Sequence, residues 1–140
     1  MFNGRYQYKV DEKGRVPLPP IFRQQLKEGL VLAILPGEKC IAVYPAREWK
    51  RLSDKLADTP LPGAQRRRLI RSMHGNAYNA SFDGQGRVKL PDTLRTYAEV
   101  RDTAIIIGAN ARVELWSEEG WKAEQSAASE QASQILESGV

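Results

Sequence analysis

The sequence predicts an α+β protein, mainly β, made of two tandem copies of one small unit. The pattern Asp-x-x-Gly-Arg-Val-x-Leu-Pro occupies residues 11–19 and returns at residues 83–91. A fixed offset of 72 residues aligns the two copies without a gap, from Tyr6 with Tyr78 to Trp49 with Trp121. Each copy also carries alternating and continuous apolar runs of strand length. Self-similarity at a fixed period is the mark of a duplicated supersecondary unit.

A strand, a turn and a second strand open each copy. In the first copy, apolar residues alternate with polar ones over residues 6–10, which predicts a half-buried strand. Asp11 and Gly14 suit the first and last positions of a type I turn, and glycine can adopt positive φ there. Residues 15–18 resume the alternation, although Pro17 cannot donate a hydrogen bond to a neighbouring strand. The pattern therefore predicts a β-hairpin with a Gly-Arg turn at its tip.

The remaining elements of the first copy follow in order. A short helix is predicted at residues 21–26, between Pro20 and Gly29. Continuous apolar runs predict buried strands at residues 30–35 and 40–44. Residues 46–56 predict an amphipathic helix, because three apolar residues share one helical face: Trp49, Leu52 and Leu56.

A linker joins the copies, and the second copy repeats the plan. Proline and glycine mark residues 58–63 as a linker, and residues 64–73 predict a short basic helix. Its arginines suit either a solvated face or a nucleic-acid site, of which the solvated face is the simpler interpretation. The last residues predict a weak extension of the final helix followed by disorder. The predicted organisation is repeat 1 at residues 1–57, linker and basic helix at 58–73, repeat 2 at 74–124 and a weakly ordered tail at 125–140.

Charge is divided unevenly between the two copies. The chain has a formal net charge of +4, but residues 1–72 carry 15 Lys and Arg against 7 Asp and Glu, whereas residues 73–140 carry 6 against 10. A basic surface attracts anionic partners. The first copy is therefore expected to hold most of any nucleic acid.

Several classes of protein are disfavoured by composition. No apolar run approaches the length of a membrane span, no signal-peptide pattern opens the chain, and Cys40 is the single cysteine, which favours a reducing cytoplasm. His74 is the single histidine, without companions at metal-ligand spacing. No nucleophile, phosphate-loop or zinc motif is present. The sequence therefore predicts no enzyme, no cofactor or metal, no small-molecule substrate and no membrane association.

The turns are the remaining candidates for function. Asp and Gly at these positions suit a structural role, in which they brace the turn and supply its positive φ. An exposed Asp–Arg pair adds only about 0–1 kcal/mol, so stability alone is a weak reason for Arg in both copies. Lys13 and Arg15 at the tip of a hairpin could instead reach phosphates and base edges, because the arginine fork can bind guanine or phosphate through two hydrogen bonds.

These motifs resemble those of the MraZ family. The resemblance rests on the doubled Asp-x-x-Gly-Arg-Val motif followed by Leu-Pro, on Met1-Phe2-x-Gly4, and on Tyr44-Pro45 with Trp49. It covers the chain apart from its tail. MraZ proteins are similar to AbrB-type regulators, so the resemblance implies two tandem AbrB-like swapped-hairpin units that form a β-barrel-like core with short flanking helices. It also implies a ring-shaped homo-oligomer.

The resemblance further implies a nucleoid-associated transcriptional regulator, usually a repressor. Such a regulator would bind double-stranded DNA at short direct repeats in the promoter of the division and cell-wall gene cluster. Carried onto this sequence, the DNA-contacting candidates are Lys13, Gly14, Arg15, Gln85 and Arg87, and the structural ones are Asp11, Asp83 and Gly86. Gln85 replaces the lysine of the first copy. With the acidic second half, this difference predicts that Arg15 reads DNA, while the second turn mainly completes the fold.

The alternative is an AbrB-like scaffold or antitoxin-type module that binds a protein. Such a module would present a disordered terminal segment with apolar anchors. The tail offers only Ile135 and Leu136 for that purpose, so this interpretation ranks below the DNA-binding one.

Overall fold

The computed structural model describes residues 1–139 and contains eight strands and five helices within them. In chain order the elements are β1 (Arg5–Lys9), β2 (Arg15–Pro17), α1 (Pro20–Leu26), β3 (Leu30–Ala33), β4 (Ile41–Pro45), α2 (Ala46–Ala57), α3 (Gly63–His74), β5 (Ala77–Ala80), β6 (Arg87–Lys89), α4 (Asp92–Ala98), β7 (Thr103–Ala109), β8 (Arg112–Trp116) and α5 (Glu118–Glu137). The α+β class is confirmed. Helices hold more residues than strands, mainly because α5 continues to Glu137.

Six strands form one antiparallel sheet in the order β1-β7-β8-β4-β3-β5. The first copy supplies β1, β3 and β4, and the second supplies β5, β7 and β8. Each copy thus contributes one edge strand to the half of the sheet built by the other copy. Among the described strands the sheet stays open, with β1 and β5 at its edges, and does not close into a barrel.

The strands that flank each turn do not pair with each other. β1 pairs with β7, while β2 pairs with β6 in a separate two-stranded ribbon. The simple hairpin expected from residues 6–18 is therefore wrong, whereas the exchange of strands between the copies agrees with the swapped-hairpin units that the resemblance implies. Alternating apolar residues specify which face of a strand is buried, but they do not specify its partner.

One shared core explains why the strands are exchanged. The main apolar cluster lies between the sheet and the ribbon, where helices α1 and α4 complete the cover. Its fully buried members come from both copies: Val16, Leu32, Val43, Val88, Leu90, Leu94, Ile106 and Leu115. A unit of about 55 residues has little core of its own. Joining both copies around one cluster removes more apolar surface from water than either copy could.

The opposite face of the sheet carries two smaller clusters. Helices α2 and α3 cover one end of it, where Trp49 and Met73 pack against strand residues of β3 and β4. Helix α5 covers the other end through Trp121, which packs near Ile105 and Trp116. The ribbon and its turns therefore lie on one side of the sheet, and α2, α3 and α5 lie on the other.

Candidate nucleic-acid interface

The first turn is fixed by the carboxylate of Asp11. Its Oδ1 accepts hydrogen bonds from the backbone N–H groups of Lys13 at 3.0 Å and Arg15 at 2.9 Å. Its Oδ2 accepts from Nε of Arg15 at 2.7 Å. Gly14 has a φ of 79° and donates its N–H to the carbonyl of Asp11. One side chain therefore sets both the path of the turn and the direction of the arginine.

The second turn repeats this geometry. Oδ1 of Asp83 accepts from the backbone N–H groups of Gln85 and Arg87, both at 2.9 Å, and Oδ2 accepts from Nε of Arg87 at 3.0 Å. Gly86 has a φ of 75°. In both copies the Asp carboxylate thus braces the turn through hydrogen bonds, and the Gly supplies its positive φ.

The ribbon brings the two turns together. Val16 lies opposite Val88 at its centre, so Arg15 lies opposite Lys89 and Pro17 opposite Arg87. Nη1 of Arg87 lies 3.4 Å from Oδ2 of Asp11, which links the two copies. We call residues 11–15 and 83–87, together with Lys89, the turn surface. The predicted site residues fall within this range, but Gly14 is buried and only the other four DNA-contacting candidates reach solvent.

Two further arginines support the turn surface from the short helices. A Cβ atom on Gly14 would lie 3.1 Å from Nη1 of Arg95, and a Cβ atom on Gly86 would collide with the guanidinium of Arg23. Each helix arginine thus lies over the turn of the other copy. The sequence motifs alone do not point to these residues or to Lys89. The offset that aligns Arg23 with Arg95 was the signal that could have found them.

The two turn arginines differ in how many of their side-chain nitrogens remain available for a further hydrogen bond. Within residues 1–139, the side chain of Arg15 uses only Nε in hydrogen bonds, so both of its terminal nitrogens are free of partners. Arg87 uses Nε and Nη1 and is less exposed, with 24% of its side chain accessible against 31% for Arg15. Lys13 and Gln85 are exposed beside them. Arg15 can therefore bind a phosphate or a base edge without breaking its turn.

Both turn carboxylates favour the charged form. The backbone N–H of Arg15 holds the pKa of Asp11 below its ordinary 3.8, with further help from the Arg15 side chain. The backbone N–H of Arg87 lowers the pKa of Asp83 in the same way. A lowered pKa in the folded state stabilises the fold above the unfolded value, and this contribution is lost as the pH falls through the folded pKa.

We therefore predict that the turns weaken only in acid. A carboxyl-carbon NMR titration should give midpoints below 3.8 for Asp11 and Asp83. The Nε–H resonances of Arg15 and Arg87 should move with the same midpoints, since those groups donate to the titrating oxygens. Midpoints at or above the ordinary value would contradict the hydrogen-bonded turns.

Positive φ makes the turn glycines hard to replace. We predict that Gly86→Ala lowers the free energy of unfolding by at least about 1–2 kcal/mol, the usual cost of a left-handed residue with a Cβ atom, because the Cβ atom must also displace the guanidinium of Arg23. Gly84→Ala is the matched control in the same turn, because Gly84 has no positive φ and open space around it. Urea unfolding of both variants measures the difference. Equal stabilities would show that the turn adapts to a side chain.

The basic helix α3 lies away from the turn surface. Leu69 and Met73 pack on Trp49 of α2, while Arg67, Arg68 and Arg71 are exposed. His74 stacks edge-on against Trp49 at 5.4 Å between ring centres, so it has a packing role.

The other residues considered for chemistry form no reactive site. Cys40 is buried, and that burial raises the pKa of its thiol to about 12. Among residues 1–139, no group of His, Cys, Asp and Glu side chains could hold a metal ion. In the same stretch, no helix is long and apolar enough to cross a membrane.

Comparison with known proteins agrees with the doubled architecture. The family described as "MraZ protein, putative antitoxin-like" matches residues 1–72 and again residues 73–139. A transcriptional regulator MraZ of Dehalococcoides mccartyi strain BAV1 is 47% identical over 98% of this chain and 96% of its own. Regulators of the same name from Micrococcus luteus and Heliobacterium modesticaldum are 41% and 42% identical, over 100% and 86% of this chain and 99% and 84% of their own.

Proposed function

Because the chain belongs to the MraZ family of transcriptional regulators, we propose that it binds promoter DNA sequence-specifically through the turn surface. Its sites are short direct repeats in the promoter of the division and cell-wall gene cluster, and its usual action there is repression. It works in the cytoplasm on the nucleoid. Since the family consists of transcriptional regulators, the prediction that the chain is not an enzyme is confirmed.

The observation that carries this proposal is the convergence of the two turns on one ribbon. Arg15 and Arg87 project beside a two-stranded antiparallel ribbon, an element that the major groove of DNA can admit. Arg15 contacts phosphate or guanine through its free terminal nitrogens, and Lys13 adds a phosphate contact. Gly14 is buried beneath Arg95, so it shapes the turn and does not touch DNA itself. Gln85 offers an amide suited to adenine.

Arg87 has a mainly positioning role in this proposal. It is held by the carboxylates of Asp83 and Asp11, so it links the two turns and keeps Asp11 in place to orient Arg15. The turn surface thus reads DNA chiefly through the first copy, which also holds the positive charge of the chain.

Several copies of the chain act together in this proposal. A ring homo-oligomer presents one turn surface per chain, so consecutive short repeats are bound by avidity rather than by a single strong contact. Ring closure follows from head-to-tail contacts when the rotation between neighbours closes.

Binding to a repeat-containing promoter fragment tests the proposal. We expect much tighter binding to the fragment than to a scrambled control of equal length, with an affinity that falls steeply as salt rises, because phosphate contacts release counterions. Changing the spacing between the repeats should weaken binding through the loss of avidity. Equal affinity for the two fragments would rule out sequence-specific recognition.

An antitoxin-type protein-binding module is the second candidate. It is favoured by the exposed Ile135 and Leu136 near the end of α5, which are 52% and 68% accessible. Purification of the full chain with a stoichiometric protein partner, together with no affinity for the promoter fragment, would reverse the order of the two candidates.

A further inference from the structure

Helix α5 continues well beyond its contacts with the rest of the chain. Trp121 and Glu124 are half-buried, but residues 125–137 are all exposed. This exposed stretch includes Ile135 and Leu136. An isolated helix of this length is marginal in water, and most helical stability in proteins comes from packing. The second half of α5 therefore lacks a partner within the described part of the chain.

The duplication shows what covers the equivalent helix in the first copy. The offset of 72 residues places α2 on the first half of α5, with Trp49 corresponding to Trp121. Helix α3 covers α2 through Leu69 and Met73, and α2 presents Leu52 and Leu56 to that contact. No described helix takes the corresponding place beside α5. The residues at the two leucine positions there are Glu124 and Ala128.

The negative charge of α5 indicates that a basic surface would fit beside it. The helix contains five glutamates, Glu118, Glu119, Glu124, Glu130 and Glu137, against the single lysine Lys122. Helix α3 has the opposite character, with Arg66, Arg67, Arg68 and Arg71 and no acidic residue. Its outward side also carries Ile70, which is 41% accessible between arginines. Each helix thus combines exposed apolar side chains with charges that the other could neutralise.

The two helices cannot satisfy each other within one chain as it is folded here. Helix α3 lies over the β3–β4–β5 end of the sheet and α5 over the β7–β8 end. A contact between them in two copies would be head-to-tail, which is the kind that closes into rings.

We propose that the outer half of α5, whose charged residues are Glu130 and Glu137, packs on the basic outer side of α3 of a neighbouring copy, and that this contact builds the oligomer. Ile70 lies against the small and apolar side chains of α5, while Arg67 and Arg71 pair with its glutamates. The turn surface, on the other side of the sheet, stays free for DNA. This inference deepens the oligomeric part of the proposed function and rests on it.

Charge reversal in the full-length chain tests the contact. Arg67→Glu with Arg71→Glu should shift the mass measured by light scattering toward the 15.7 kDa of one chain. Glu130→Arg with Glu137→Arg should do the same, because both residues are exposed on one face of the outer half of α5, and the four substitutions together should restore the oligomer. Lys27→Glu with Arg47→Glu is the control, since these exposed residues lie just after α1 and on α2 and should leave the mass unchanged.

Other outcomes would overturn the inference in distinguishable ways. If the Arg67 and Arg71 reversal keeps the oligomer but lowers DNA affinity, α3 is a DNA surface. If neither reversal changes the mass, other surfaces join the chains. A monomeric wild-type chain would refute both the ring and this contact. It would not refute specific binding to the promoter fragment, which is measured separately. If the chain forms an oligomer but does not bind the promoter repeats, the proposed function is refuted while this contact is not.

Discussion

Arg15→Ala should abolish specific DNA binding at concentrations where the wild-type chain saturates the promoter fragment. The two free terminal nitrogens of Arg15 are the donors that the turn does not use. Loss of a good bidentate base contact costs about 1–3 kcal/mol of discrimination per site. Because several turn surfaces bind consecutive repeats, the loss in each chain multiplies across the oligomer. Fluorescence anisotropy with repeat-containing and scrambled fragments measures the effect.

Arg87→Ala should weaken specific binding less than Arg15→Ala does. It removes the contact with Asp11 and loosens the second turn, but it leaves the Asp11–Arg15 hydrogen bonds in place. Arg47→Ala is the matched control on an exposed part of α2, and it should bind as the wild type does. Equal losses for the two turn arginines would refute the asymmetry between the copies.

The second large effect concerns the shared core. Ile106→Ala should lower the free energy of unfolding by about 2–5 kcal/mol, the range for deleting a buried aliphatic side chain. Ile106 is fully buried and lies opposite Tyr6 of the first copy on one side and Leu115 on the other. Its loss leaves a cavity in a cluster that both copies build. The whole chain should therefore unfold in one transition at a lower urea concentration.

Ile21→Ala is the matched control for this prediction, because Ile21 is 63% accessible on α1. Its unfolding midpoint should stay close to that of the wild type. For each variant, the unfolding curve recorded by circular dichroism should coincide with the one recorded by tryptophan fluorescence at equal protein concentration. Two separate transitions, with only one shifted by Ile106→Ala, would show that the copies fold independently.

The sequence predicted the turns well, because their chemistry is local. Asp11 and Gly14 act within five residues of each other, so residue type and spacing were enough to identify the bracing carboxylate and the positive φ. The fixed offset likewise predicted that the second turn would repeat the first. The α+β class and the order of the elements followed from apolar periodicity.

Strand partners could not be predicted in the same way. Residues 6–18 suit a hairpin, and only the shared core decides that β1 pairs with β7 and β2 with β6. The arginines over the turns were missed for a related reason. Arg23 and Arg95 act on the turn of the other copy, so their role depends on the exchange. The contact of Arg87 with Asp11, which joins the two turns, depends on the same exchange.

Site-specific photo-crosslinking to the promoter fragment shows directly whether the turn surface lies on the DNA. A crosslinking amino acid replaces either Glu12 in the first turn or Ala64 on α3, both of which are exposed. We expect an efficient crosslink from position 12 to the repeats, competed only by repeat-containing DNA, and little from position 64. A crosslink to the repeats from position 64 and none from position 12 would contradict this expectation.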